Sequence, residues 1–156
     1  MRTTEEAHGW PEASGLPDPP DPVGAYRAVV IRGGLGFVSG QFPLSAGIMV
    51  EAAEDETPDM GTLKHAAGLA ARNVVAQILK ALGSWDRFAG LCRVDGIVAV
   101  PGRFTKHAAV LDAASEAFVS LLGPVRGAHA RSATSAPSLP GNAAIELVVT
   151  FAVAGD

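Results

Sequence analysis

The sequence predicts a single α+β domain, a mixed β-sheet with two helices packed on one face. Three observations carry this. Apolar residues recur at helical spacings over two long stretches, Leu63–Leu82 and His107–Leu122. Short β-branched and apolar runs occupy five other places. The two patterns follow one another as β-β-α-β-α-β-β, an order that gathers the helices on one side of a sheet. The length of 156 residues fits one domain with a sizeable core.

Residues 1–22 read as an irregular arm, and residues 23–156 as the folded domain. The arm is rich in Pro, Gly and acids, and Gly15–Gly24 holds four prolines, which excludes a helix interior or a central strand. A short helix near Thr3–His8 is the exception expected there. Tyr26–Ile31 is a strand, Arg32-Gly33-Gly34 supplies a turn that tolerates φ > 0, and Leu35–Ser39 returns as the second arm of a hairpin. Gly40–Asp59 is a long loop containing the acidic cluster Glu51–Asp59.

The first helix, Leu63–Leu82, places Leu63, Ala67, Ala70, Val74, Ile78 and Leu82 on one stripe. Asp59 or Thr62 caps its start and Gly83 its end. Leu91–Val100 is a buried strand closed by Pro101-Gly102. The second helix, His107–Leu122, starts at a Thr105 cap, turns Val110, Leu111, Ala114, Phe118 and Leu121 inward, and stops at Gly123-Pro124. His129–Ser135 is the fourth strand. Ala143–Val153 is the fifth, with Ile145, Leu147, Val149 and Phe151 on one face. The other sheet face also carries apolar residues and has no element left to cover it, so self-association is expected.

Composition narrows the class. The chain is 48% hydrophobic and 18% charged, as globular proteins are. Its net charge of −4 divides unevenly: residues 1–60 carry ten acids and three bases, residues 61–156 six acids and nine bases. No Lys/Arg run accompanies the basic part, which argues against a nucleic-acid surface. The lone cysteine, Cys92, allows no internal disulfide and reads as a small buried hydrophobe in its strand. The acidic N-terminus lacks the apolar core of a signal peptide, and no apolar run is long enough to span a membrane. A reducing, cytoplasmic setting is expected.

No nucleophile elbow, zinc-helix motif or phosphate loop is present, and the four histidines, His8, His65, His107 and His129, fit no metal spacing. His65 and His107 fall in first helical turns, where solvent is expected around them. His129 shares a strand face with Arg131. Arg131 and Glu146 are the informative residues, because each interrupts an apolar strand and charges there are rarely buried unpaired. They form either an ion pair between neighbouring strands or an anion pocket. In the pocket, the planar Arg131 fork grips a carboxylate bidentately while Glu146 orients a water.

The ordered segments Val23-Gly24-Ala25-Tyr26, Phe37–Pro43, Ala71-Arg72-Asn73, Arg93–Gly96, Ala130-Arg131-Ser132, Leu139-Pro140 and Ile145-Glu146-Leu147 together resemble the RidA/YjgF family. Its members are the reactive-intermediate deaminases, also called endoribonuclease L-PSP. The Leu44–Asp59 loop and the arm resemble a longer-chain branch. The resemblance implies a chorismate-mutase-like fold and a homotrimer with sheets packed inward. It also implies three interface sites that hydrolyse enamine or imine acids such as 2-aminoacrylate to 2-keto acids and ammonia. No metal or organic cofactor is implied.

By the same resemblance Arg131 binds the substrate carboxylate and Glu146 positions water. Tyr26 lines the pocket across the interface, Ser39 and Gly40 form its wall, and Ala133 offers a main-chain carbonyl. Asp112 stands where the family places asparagine. An ionised carboxylate there repels a substrate carboxylate unless it points away, is protonated, or meets a different ligand. The alternatives are a non-catalytic trimer that binds 2-keto acids or similar carboxylates, and an endoribonuclease.

Overall fold

The computed structural model describes residues 9–53 and 59–155. The elements run β1 (Val29–Arg32), β2 (Leu35–Gln41), β3 (Leu44–Ser45), β4 (Ile48–Met49), α1 (Met60–Leu82), β5 (Phe88–Ala99), α2 (His107–Leu122), β6 (Ala130–Ala136) and β7 (Ile145–Val153). Five strands form one sheet in the order β1-β2-β7-β5-β6. Only β5 and β6 pair in parallel, joined through α2; the other pairs are antiparallel. This is the predicted α+β architecture with a mixed sheet.

Three local expectations need correction. The predicted loop at Gly40–Asp59 contains the small ribbon β3–β4, turned at Ala46 and Gly47, both with positive φ. The first strand begins at Val29 rather than Tyr26, because Tyr26 donates its N–H to Gly24 O in a tight turn. Thr105 does not cap α2: Lys106 holds that position with φ −97° and ψ 29°, and no side chain caps the helix. The predicted Thr3–His8 helix, and residues 54–58 of the acidic cluster, lie outside the described residues.

The first helix forms as its pattern demands. Asp59 accepts from the Thr62 N–H at 3.1 Å, satisfying one of the orphan donors of the first turn. Gly83 ends the helix at φ 77°, a left-handed geometry that favours glycine. Leu63, Ala67, Ala70, Val74 and Ile78 are fully buried, and Leu82 is half-buried at the last position of the helix.

Alternation sorts the sheet into two faces. Ile145, Leu147, Val149 and Phe151 of β7, with Val94 and Val98 of β5, are buried beneath both helices. A Cβ at Gly96 would collide with the Leu111 side chain, so α2 approaches β5 at this glycine. The intervening residues form the opposite face, which no element among the described residues covers. Leu35, Phe37 and Val148 stand exposed there. Their neighbours are polar: Ser132 donates to Asp95 at 2.5 Å, and Arg93 donates to the same oxygen at 2.8 Å. The Ser132 hydroxyl first, then Arg93, holds the Asp95 carboxyl below its usual range.

The described part of the arm is bound to the domain. Trp10 stacks on Trp85 at 5.4 Å, with Arg126 over its ring, and the Trp85 indole donates to Pro11 O. Arg72 donates to Gly15 O and Gln77 to Pro20 O. Asn73, 1% exposed, donates to Phe42 O and Leu44 O, both at 2.9 Å, and so ties the β2–β3 corner to α1. Asn73→Ala would strand two carbonyls beside a small void. A loss of about 2 kcal/mol is expected, read from urea denaturation. A loss below about 0.5 kcal/mol would show that water replaces the amide.

Candidate functional site

The residues singled out by the sequence gather in two places, and neither place holds them all. The first lies between edge strand β6 and α2. Arg131 pairs in register with buried Val94 and Ala133 with Gly96, so both side chains point toward the helices. On α2, Ala108, Asp112 and Ser115 fall at spacings of four and three and make one stripe. Arg131 Nη1 donates to Asp112 Oδ1 and to Ser115 Oγ, each at 3.0 Å, and Nη2 reaches Ala108 O at 3.4 Å. The Arg131 side chain is 22% exposed, that of Asp112 61%.

His129 extends this network and its hydrogen bonds fix the tautomer. Nδ1 lies 2.7 Å from Gly127 O, which can only accept, so Nδ1 carries the proton. In the neutral ring Nε2, 2.9 Å from Ser115 Oγ, then accepts the hydroxyl proton, leaving a Ser115 lone pair for Arg131. The ring also stands edge-on to Phe118. His129 therefore sets the hydroxyl that sets Arg131; it precedes β6 rather than opening it, yet both side chains reach Ser115 on the helix side. Ser115 and the Ala108 carbonyl were missed in the sequence, although their spacing from Asp112 on one helical stripe was a signal for them.

The second place lies on the other side of the sheet. Between the pairs Val38↔Val149 and Gln41↔Leu147, the two residues Ser39 and Gly40 oppose the single Val148, a β-bulge in β2. Glu146 alternates with buried Ile145 and Leu147 and so emerges on the uncovered face. Its carboxylate lies against Gly40, where any Cβ would strike Oε1, so only glycine fits beside it in this rotamer. Burial pushes the Glu146 carboxyl above its usual range. The Ser39 hydroxyl donates to Arg27 O at 2.7 Å, and its N–H to Ala28 O, which fastens residues 26–28 along the bulge. Tyr26 and Gly40 line one small cavity of about 60 Å³ with Pro20, Val23 and Gln41. Gln77 donates to Gln41 Oε1 and to Pro20 O, so the arm, α1 and the bulge are one unit.

The ion pair between Arg131 and Glu146 does not form. Strand β5 separates β6 from β7, and the two side chains leave opposite faces of the sheet. Two further expectations are corrected. Cys92 is half-exposed rather than buried, because it sits at a register shift between Leu91 and Arg93. His107 is not merely solvated: its Nε2 meets Ser135 Oγ, and its ring stands edge-on to Phe104. His65 is exposed, as read, and His8 lies outside the described residues.

Over residues 12–154 the chain matches the family model described as YjgF/chorismate mutase-like, whose name also carries an endoribonuclease label. Protein TCP17 of Trypanosoma cruzi is 33% identical over 135 residues, covering 85% of this chain and 83% of that protein. Among solved structures, Atu1372 from Agrobacterium tumefaciens, a protein of unknown function, shares 32% identity at a TM-score of 0.75 over 82% of each chain. The YjgF gene product of E. coli shares the fold at 22% identity and a TM-score of 0.60, over 86% of this chain and 93% of that one.

The raised Glu146 pKa has a signed consequence for stability. The contribution is full below the unfolded value of about 4.3 and is lost as pH rises through the higher folded value. Glu146→Gln removes the titration, so the variant should gain on the wild type as pH rises from the unfolded value through the higher folded one in urea unfolding. Parallel stability curves would show that the carboxyl is as well solvated folded as unfolded.

Proposed function

The chain belongs to the YjgF/chorismate mutase-like family, and from that premise we propose that it hydrolyses enamine or imine acids at sites completed between copies in a homotrimer. One observation carries this reading. The residues that would bind and hydrolyse such a substrate lie on two separate surfaces. Arg131, Asp112 and Ala133 lie along the β6–α2 edge; Ser39, Gly40 and Glu146 lie at the bulge on the open face, and Tyr26 shares a cavity with Gly40 beside it. One copy cannot fold them into one pocket, whereas a cyclic assembly sets one surface of each copy against the other surface of its neighbour. The uncovered face with exposed Leu35, Phe37 and Val148 supports such an assembly.

The chemistry asked of these groups is modest. Arg131 holds the substrate carboxylate through N–H groups not taken by α2. The carbonyl of Ala133, beside Arg131, and Glu146 from across the interface hold a water against the C=N carbon. Water adds, giving a carbon that bears hydroxyl and amine. The C–N bond then breaks, ammonia leaves, and the carbonyl forms. A carboxyl whose pKa burial raises suits the transfer of a proton from the added water to the departing nitrogen. Placement of water beside an already electrophilic carbon supplies much of the acceleration.

A second reading has its own observation. Asp112 already occupies part of the Arg131 guanidinium, which favours a trimer that binds 2-keto acids or other small carboxylates without turning them over. The endoribonuclease label of the family model supplies a third assay rather than a third site, since the net charge of −4 disfavours an RNA surface.

Ammonia release from enzymatically generated 2-aminoacrylate tests the proposal. Arg131→Ala should lower the catalysed rate roughly 10- to 100-fold, the worth of a lost charge-assisted hydrogen bond pair. Co-expressed Arg131→Ala and Glu146→Gln chains should recover about a quarter of the wild-type activity, because that share of interfaces in a random trimer pairs two intact surfaces. No recovery from two individually inactive variants would place both residues in one copy's site and overturn the interfacial reading. A wild-type rate equal to the uncatalysed one would leave the binding reading in its place. RNA cleavage abolished by Arg131→Ala would favour the family label.

A further inference from the structure

We propose that Arg131 and Asp112 act together as a zwitterion reader, selecting ligands that carry a cationic nitrogen next to a carboxylate over ligands that carry the carboxylate alone. The inference begins with the hydrogens of one guanidinium. Both Nη1 hydrogens are taken, by Asp112 and Ser115, and one on Nη2 reaches the Ala108 carbonyl. The Nε–H and the second Nη2–H have no partner among the described residues. Nε and Nη2 lie along one edge of the guanidinium, the edge that grips a carboxylate side-on. The α2 contacts thus orient Arg131 and leave two of its five N–H groups for an anion.

Asp112 is the other half. Its Oδ1 accepts from Arg131, Oδ2 has no partner among the described residues, and the side chain is 61% exposed. A fixed carboxylate with one free oxygen therefore stands at the Nη1 end of the same guanidinium, away from the Nε–Nη2 edge. A ligand bearing only a carboxylate is attracted by Arg131 and repelled by Asp112. A ligand with an ammonium or iminium nitrogen beside its carboxylate has that repulsion offset by the attraction of its own positive charge to Asp112, acting through space rather than by direct contact. An asparagine here would leave the fork intact and remove the repulsion, so the exchange of one oxygen for one NH₂ separates the two ligand preferences.

Where this rests on the deaminase reading, it deepens it. The protonated imine of an amino acid is a zwitterion, and the 2-keto acid left after hydrolysis is an anion. The pair of side chains then holds substrate better than product and speeds the product's departure.

The test is binding without turnover. L-alanine and pyruvate share a carbon skeleton and differ in the cationic nitrogen. Titration calorimetry or NMR titration of the wild type, Asp112→Asn and the control Glu116→Gln gives the ratio of the two affinities. The wild type and the control should favour alanine, and Asp112→Asn should lower the alanine-to-pyruvate ratio about two- to fivefold, the size of a rim charge interaction. Salt should shrink the wild-type preference. An unchanged ratio in Asp112→Asn, a wild type that favours pyruvate, or binding of neither ligand would overturn the inference. Because no step of chemistry is read, a protein that releases no ammonia yet shows the Asp112-dependent ratio retires the deaminase reading and keeps this one. Rapid ammonia release with an unchanged ratio does the reverse.

Discussion

The two-residue period of an extended chain governs this molecule. Along β5, β6 and β7, successive side chains must leave opposite faces, and the helices cover only one of them. That single condition buries Ile145, Leu147, Val149 and Phe151 under α1 and α2. It sends Arg131 and Ala133 toward α2 and Glu146 toward the open side. The separation of the polar groups is a by-product of the same alternation that builds the core, so it cannot be relaxed without turning apolar residues into water.

Within the limits set by the sheet, each polar cluster is organised by its nearest helix or bulge. On the helix side, Gly127 O fixes the His129 tautomer, His129 takes the Ser115 proton, and Ser115 holds Arg131. On the open side, the extra residue of the β2 bulge brings Gly40 under Glu146, while on the helix side Gln77 ties the arm to Gln41, the next residue of β2. Both arrangements put a charged group in a half-buried setting with its geometry prepared in advance, which is the condition under which positioning can do chemical work.

Much of this was legible in the sequence, and the exceptions share a cause. The long helices and β7 were readable because their burial repeats many times along the chain. The β3–β4 ribbon was not, since strands of two residues leave no period to detect. Arg131 and Glu146 were recognisable as charges in apolar strands, and the resemblance to the family gave each a role. Their mutual placement was hidden, because it depends on β5 lying between β6 and β7, and strand order is a property of distant pairings. The Thr105 cap failed for a local reason: the chain between Pro101 and Lys106 curls before the helix begins, with Phe104 N–H bonded back to Pro101 O.

The strand order also has a consequence for synthesis. β7, last of the strands in the chain, lies at the middle of the sheet, between β2 and β5. A ribosome therefore releases the β1–β2 hairpin and the β5-α2-β6 unit before the strand that unites them exists. Until it arrives, two edges that end as interior remain open to other nascent chains. Closure is a late, long-range event, and the interval before it is when the chain is most open to mispairing.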